Sequence, residues 1–196
     1  MAIKGINKER MMGADYDLFC VINNIPIHIA TMGSQIPSFL NDKQRISMDL
    51  DLVSRMPASF EVELNLGRIK ELISDEVNYS YLQIVDKNML LSEVINLPSF
   101  NWFSNDIPVF VKLFSWYFVE MARRGFYSFA HYGDVDSDSF FLVAWPKQIN
   151  QSFIDSYKDR SFLFKDLDLN NPEEIKIIHF ERLFNNQRND EFGASK

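Results

Sequence analysis

The chain reads as an α+β protein: an antiparallel, hairpin-built sheet with one buried aromatic helix, over about residues 107–124, packed on one face. Three observations predict this. Apolar residues recur at every second position in several paired runs, the signature of strands. Between Ile107 and Arg124 the spacing switches to that of a helix. The composition is that of a packed chain: 46% hydrophobic and 14% aromatic, with 18 Phe but only 7 Gly and 7 Pro in 196 residues. Disorder, collagen-like repeats and low-complexity sequence are excluded on that basis. A chain of this length buries roughly 70% of its unfolded surface, so it folds without a metal or a disulfide.

Residues 1–14 are expected to form a flexible arm, 15–184 one α+β domain and 185–196 a polar tail. The first hairpin lies in Tyr16, Leu18, Cys20 and Ile22 followed by Ile25, Ile27, Ile29 and Thr31. Asn23-Asn24 separates the runs, and Asn tolerates the positive φ that a two-residue type I′ turn needs at both central positions. Pro26 requires a position that needs no N–H in the ladder, which suggests an edge. A second hairpin is read from Ile46, Met48, Leu50 and Leu52 against Phe60, Val62, Leu64 and Leu66. Residues 68–77 turn helical, with Ile69, Leu72, Ile73 and Val77 on one side. A strand over 79–85 and a short helix over 89–96 follow.

The long helix starts near Ser104 to Pro108, with Ser104, Asn105 or Asp106 as cap. Phe110, Phe114, Tyr117, Phe118 and Met121 fall within about 100° of arc, and Lys112, Ser115 and Arg123 lie roughly opposite. Arg123-Arg124-Gly125 ends it, with cations in the last turn and glycine at the cap. A third hairpin pairs 126–132 with 139–145 around Gly133 to Asp138. Residues 150–160 suit a short polar helix and 161–169 a strand. Asn171-Pro172-Glu173-Glu174 is a helix start for 172–184, although Ile175, Ile177 and Ile178 suit a strand as well.

Charge narrows the function. The formal net charge is −7, from 20 Lys+Arg against 27 Asp+Glu. Phosphate contacts need clustered cations, and only Arg123-Arg124 are adjacent here, so general nucleic-acid binding is not expected. Cys20 is the only cysteine, which excludes an intrachain disulfide and Cys-based metal clusters and suits a reducing cytoplasm. The opening MAIKGINKERMMGADYD has no apolar stretch behind its basic residues and does not read as a signal peptide. The most apolar segment, Ile107 to Ala122, spans about 24 Å as a helix, short of the roughly 30 Å bilayer core, so no membrane association is expected.

The most specific candidate site is an acidic ribbon. If Val53 pairs with Ser59, Asp51 faces Glu61 and Asp49 faces Glu63, and like charges directly opposed destabilise a sheet. Solvent, or Arg55, Arg68 or Lys70, relieves the repulsion in the simplest reading. A basic protein partner is the second, and a divalent cation the third, because oxygen-rich carboxylate sites suit Mg²⁺ or Mn²⁺. Trp102 and Phe103, in the loop from Pro98, either plug the core or anchor a partner. His131, Asp134, Asp136 and Asp138 form the other metal candidate. That loop starts like a calcium loop but has Ser139 where Gly is needed and Trp145 where Glu is needed, so a solvated turn is the simpler reading. His28 and His179 have no partner legible in the sequence. Cys20, on an alternating apolar strand without a neighbouring cation, reads as core.

Phosphate-cradling glycine motifs, the G-x-S-x-G elbow and H-E-x-x-H are all absent. No catalytic residue and no cofactor are assigned. The expected function is a non-catalytic intracellular protein-binding module, an adaptor or neutralising subunit. It would dock a basic partner through Asp49, Asp51, Glu61 and Glu63, with Trp102 and Phe103 as further contacts. A metal-dependent phosphodiester hydrolase and a structural subunit of a larger assembly are the alternatives.

Overall fold

The computed structural model describes residues 15–32, 50–73, 103–104, 106–107, 109–133, 138–175, 177–180, 182–183 and 185–186. The chain forms β1 (Asp17–Ile22), β2 (Ile25–Ala30), α1 (Leu50–Ser54), β3 (Val62–Leu64), α2 (Leu66–Ile73), α3 (Val109–Arg123), β4 (Tyr127–His131), β5 (Ser139–Pro146), α4 (Gln151–Tyr157) and β6 (Ile177–His179). One mixed, mostly antiparallel sheet runs in the order β1-β2-β4-β5-β3, and β6 also pairs with β5. The α+β reading stands.

The first hairpin closes as the sequence predicts. Asn23 and Asn24 have φ of 50° and 62°, as a type I′ turn requires. Pro26 is not on a sheet edge, because β2 lies between β1 and β4. In a two-residue hairpin Ile22 and Ile25 form the hydrogen-bonded pair, so at Val21↔Pro26 the proline nitrogen points away from β1. On its other side β2 joins β4 in parallel only from Ile27 onward. Pro26 therefore interrupts neither ladder.

Both faces of the sheet are covered. Leu18, Cys20, Ile27, Ile29, Phe129, Phe140 and Leu142 point to one side, where Phe162, Phe164, Leu169, Ile175, Ile178 and Phe180 close over them. Phe19, Val21, Phe126, Phe141 and Val143 point to the other, against α2, α3 and α4. The buried surface of α3 is wider than the face expected: Phe118 and Met121 are buried as read, and small residues beside them are buried as well. Val111, Ser115, Val119 and Ala122 are fully buried, while Phe114 and Tyr117 are only partly so. The side chain of Phe110 lies outside the described residues. Ser115, expected on the polar stripe, satisfies its hydroxyl by donating to the Val111 carbonyl at 2.5 Å. Small side chains bring the helix close to Ala130 and Ala144, and the aromatic rings wedge in at its flanks.

Helix α3 ends in a Schellman arrangement. Phe126 N–H donates to Met121 O and Gly125 N–H to Ala122 O, with Gly125 at φ 94°. Asn150 ties this end to α4: its Nδ2 donates to Arg124 O at 2.8 Å, and its Oδ1 accepts from Phe153 N–H.

Two further expectations are corrected, and one open choice is decided. Leu50–Ser54 is helical, so the 46–52/60–66 hairpin does not form; β3 pairs with β5 instead. In the 161–169 segment only Phe162 makes a bridge, to Ile22, because Asn23 takes up the main-chain groups of Phe164 in place of a ladder. Of the two readings kept open for 172–184, the strand holds for β6, which completes the open edge of β5 at Ser139–Phe141 after a 3-10 turn at Pro172–Glu174; the described residues from Phe180 on are helical. The expected elements over 79–85 and 89–96 lie outside the described residues. So does residues 1–14, and the polar tail apart from 185–186.

Candidate functional site

The candidate site lies where β3 meets β5. Two segments pair with the same side of β5: β6 with Ser139–Phe141 and β3 with Ala144–Pro146. Asn65 fills the step between them. Its backbone N–H donates to Val143 O at 2.9 Å and its Nδ2 to Leu142 O at 3.1 Å. A bulge sets what faces this step. Ser128 pairs with Ala144 and Phe129 with Leu142, leaving Val143 as an extra residue on β5. Without it, Trp145 would follow Phe141 and Val143 onto the helix side. With it, Trp145 joins the opposite face beside Glu63, its partner on β3.

The Trp145 indole Nε1–H donates to Glu63 Oε2 at 3.1 Å. Burial, and then the Glu63 charge, push the nearby Tyr127 hydroxyl above its ordinary range. Glu63, Asn65, Gly67, Trp145 and Glu173 line an open cleft of about 360 Å³. Glu61, two residues back on the same side of the strand, is exposed and meets Lys147 at 3.3 Å. An exposed pair of this kind contributes little to stability. The arrangement presents carboxylates to solvent over an aromatic floor, which suits a guanidinium or ammonium group.

The opposed carboxylates of the expected ribbon are not brought together as a ladder. Asp51 is exposed on α1, Glu61 and Glu63 flank β3 against β5, and Asp49 lies outside the described residues. The repulsion argument falls with the pairing. Phe103 is 5% exposed and sits with Val62, Ile69 and Phe141. It packs as a plug against the core. Trp102 lies outside the described residues.

At the other end of β5, His179 Nδ1 meets Ser139 Oγ at 2.9 Å and Asp138 Oδ1 at 3.5 Å. Both contacts fall on one ring nitrogen, so His179 does not relay a proton from the serine to the carboxylate. His131 packs edge-on against Phe140. Asp134 and Asp136 lie outside the described residues. Among the described residues no group of three or more His, Cys, Asp or Glu is arranged to hold a metal ion. Nor is any helix among them long and apolar enough to cross a membrane.

Sequence reasoning missed a buried polar relay. His28 Nε2 lies 2.9 Å from Asp17 Oδ1 and Nδ1 lies 2.6 Å from Ser128 Oγ. His28 and Ser128 are both 0% exposed. The imidazole stacks on Phe19 at 5.1 Å and meets the Tyr117 ring edge-on at 5.7 Å. Burial pushes the Asp17 carboxyl upward, but the hydrogen bond and positive field of His28, with the Tyr117 hydroxyl nearby, outweigh it and hold the group below its usual range. Burial and the Asp17 charge in turn push the Tyr117 hydroxyl upward. The residue types are those of a serine hydrolase, yet the serine is sealed beneath α3, where no acyl substrate reaches it. The one legible signal was His28 at an inward position of an otherwise apolar strand.

No protein-family model, no curated protein and no solved structure matches the chain.

Proposed function

We propose that the protein is a non-catalytic binding protein of the cytoplasm that docks a basic partner protein at the β3 edge of its sheet. Glu61, Glu63 and Glu173 supply the charge. The observation that carries this reading is the cleft between β3 and Pro172–Glu174, where Glu63 and Glu173 open to solvent above Trp145. The net charge of −7 supports it, since a negative field speeds encounter with a cationic partner. The sealed serine of the relay and the one-nitrogen geometry at His179 favour binding over acyl transfer.

The test compares the protein with its Glu63→Gln/Glu173→Gln variant in pull-downs from native lysate and against a defined arginine- and lysine-rich peptide. The expected result is a partner retained by the wild type, and peptide binding that weakens several-fold in the variant and falls with added salt. Equal binding by both proteins, or none by either, defeats the reading.

A further inference from the structure

We propose that the Asp17–His28–Ser128 relay is a register lock: it selects one of the parallel pairings that β2 and β4 can otherwise make. This is the one parallel pairing among the described strands, and His28 and Ser128 stand 100 residues apart in the chain. No tight turn fixes its register, as Asn23-Asn24 does for β1 and β2. The apolar pattern does not fix it either. Ile27 and Ile29 on β2, and Tyr127 and Phe129 on β4, point to one face, so a slip of two residues returns every side chain to the same side. On the helix side β4 itself offers only the small Ser128 and Ala130, so shape on that face separates the registers weakly. A slip of two sets His28 beside Ala130, which is small enough to accept it.

The relay separates these registers. An ionised Asp17 only accepts, so His28 Nε2 donates to it, and Nδ1 and the Ser128 hydroxyl are hydrogen-bonded to each other at 2.6 Å. In the slipped register Ser128 leaves Nδ1, and two fully buried polar groups lose their partner. Each such orphan shifts populations by on the order of tenfold or more. Asp17 holds the other nitrogen from β1, so the ring does not turn to follow. The arrangement matches the best-attested use of buried polar groups, the specification of register.

The test reads pairing rather than binding, and so is independent of the acidic cleft. Ser128→Ala removes one hydroxyl, and His28→Leu/Ser128→Ala removes both partners of that bond and leaves only the partly exposed Asp17 without His28. Amide NMR spectra and cross-strand contacts between β2 and β4 are recorded for each. The wild type is expected to give one set of resonances. Ser128→Ala, and the double variant where it folds, are expected to give two or more sets confined to β2, β4 and their neighbours. Ser128→Thr, which keeps the hydroxyl, is expected to return to one set. A single set in the native register for Ser128→Ala overturns the proposal, even if that variant is less stable. So does a second set that persists in Ser128→Thr.

Discussion

Asn23 and Phe164 hold each other as two strands would, although neither lies on a strand facing the other. The Asn23 side chain accepts from Phe164 N–H at 2.8 Å and donates to Phe164 O at 2.9 Å and Leu167 O at 2.7 Å. A turn residue with a positive φ thus anchors the segment that covers one face of the sheet. Asn23→Gly keeps the backbone angle and removes all three bonds. At about 1 kcal/mol net for each, the variant is expected to lose about 2–4 kcal/mol in urea denaturation. Amide exchange should rise first in residues 162–170. Unchanged stability would show that solvent satisfies these groups as well as Asn23 does.

Acid sensitivity should trace to Asp17. Its carboxyl sits below the ordinary value in the folded protein. The folded state therefore binds that proton less readily than the unfolded chain. The stabilisation is complete above the ordinary carboxylate range and is lost as pH falls through it toward the folded value. Asp17→Asn should be less stable at neutral pH and show a flatter acid limb in stability measured from pH 2 to 7. An acid limb that remains parallel to that of the wild type would assign the sensitivity to other carboxylates.

Gly125 admits no side chain. Its φ is 94°, and a Cβ there would stand 2.4 Å from Asn150 Cβ and 2.9 Å from Phe60 Cε2. Gly125→Ala combines backbone strain with a clash against the residue that caps α4, and is expected to cost about 2–4 kcal/mol in thermal or chemical unfolding. The second substitution Phe60→Leu should recover part of that loss by making room.

Cys20 should resist alkylation. It is fully buried, and burial pushes its thiol up to about 12. The thiolate is the reacting form. Iodoacetamide at pH 8 is expected to label the protein only as fast as it unfolds, with denaturant accelerating the reaction by orders of magnitude.

Divalent cations should leave the unfolding midpoint unchanged. Ligands that bind the folded state raise it by mass action. A rise of several degrees at millimolar Mg²⁺, Mn²⁺ or Ca²⁺ would revive the hydrolase alternative and direct attention to Asp138 and its loop.

What was legible in the sequence was what is settled locally. Asn23-Asn24 set a turn, Arg123-Arg124-Gly125 ended a helix, and 126–145 closed on itself, because each depends on residues near in sequence. What failed was partner choice. Alternation over 46–66 suggested a hairpin, but Leu50–Ser54 became a helix around the buried Val53, and β3 went to β5. Residues 172–184 carried signals for both helix and strand; Ile177–His179 became a strand because β5 had an open edge, and the described residues from Phe180 on are helical. Ser115 looked polar on a helical wheel and proved to be the small residue that the sheet approaches. For the candidate site, Glu61 and Glu63 were singled out through a hairpin pairing that does not form. Glu173 and Trp145 were not, because a bulge and a strand pairing bring them there. The same limit hid the relay: Asp17, His28 and Ser128 come from three strands, and nothing local to any one of them signals the other two.

The sharing of β5 bears on synthesis. Its two ends pair with segments from opposite parts of the chain, residues 62–64 and 177–179, so it waits both for an early partner to be kept available and for a late one to be made. A nascent chain that has just released β5 carries a run of eight residues, SFFLVAWP, buried in the finished protein and still lacking β6 and the cover supplied by Phe162 to Phe180. Until roughly thirty-five more residues emerge, a few seconds at typical elongation rates, that run is an aggregation hazard. Chaperone dependence should therefore peak in ribosome-stalled chains that end between β5 and β6 and drop once β6 has cleared the exit tunnel.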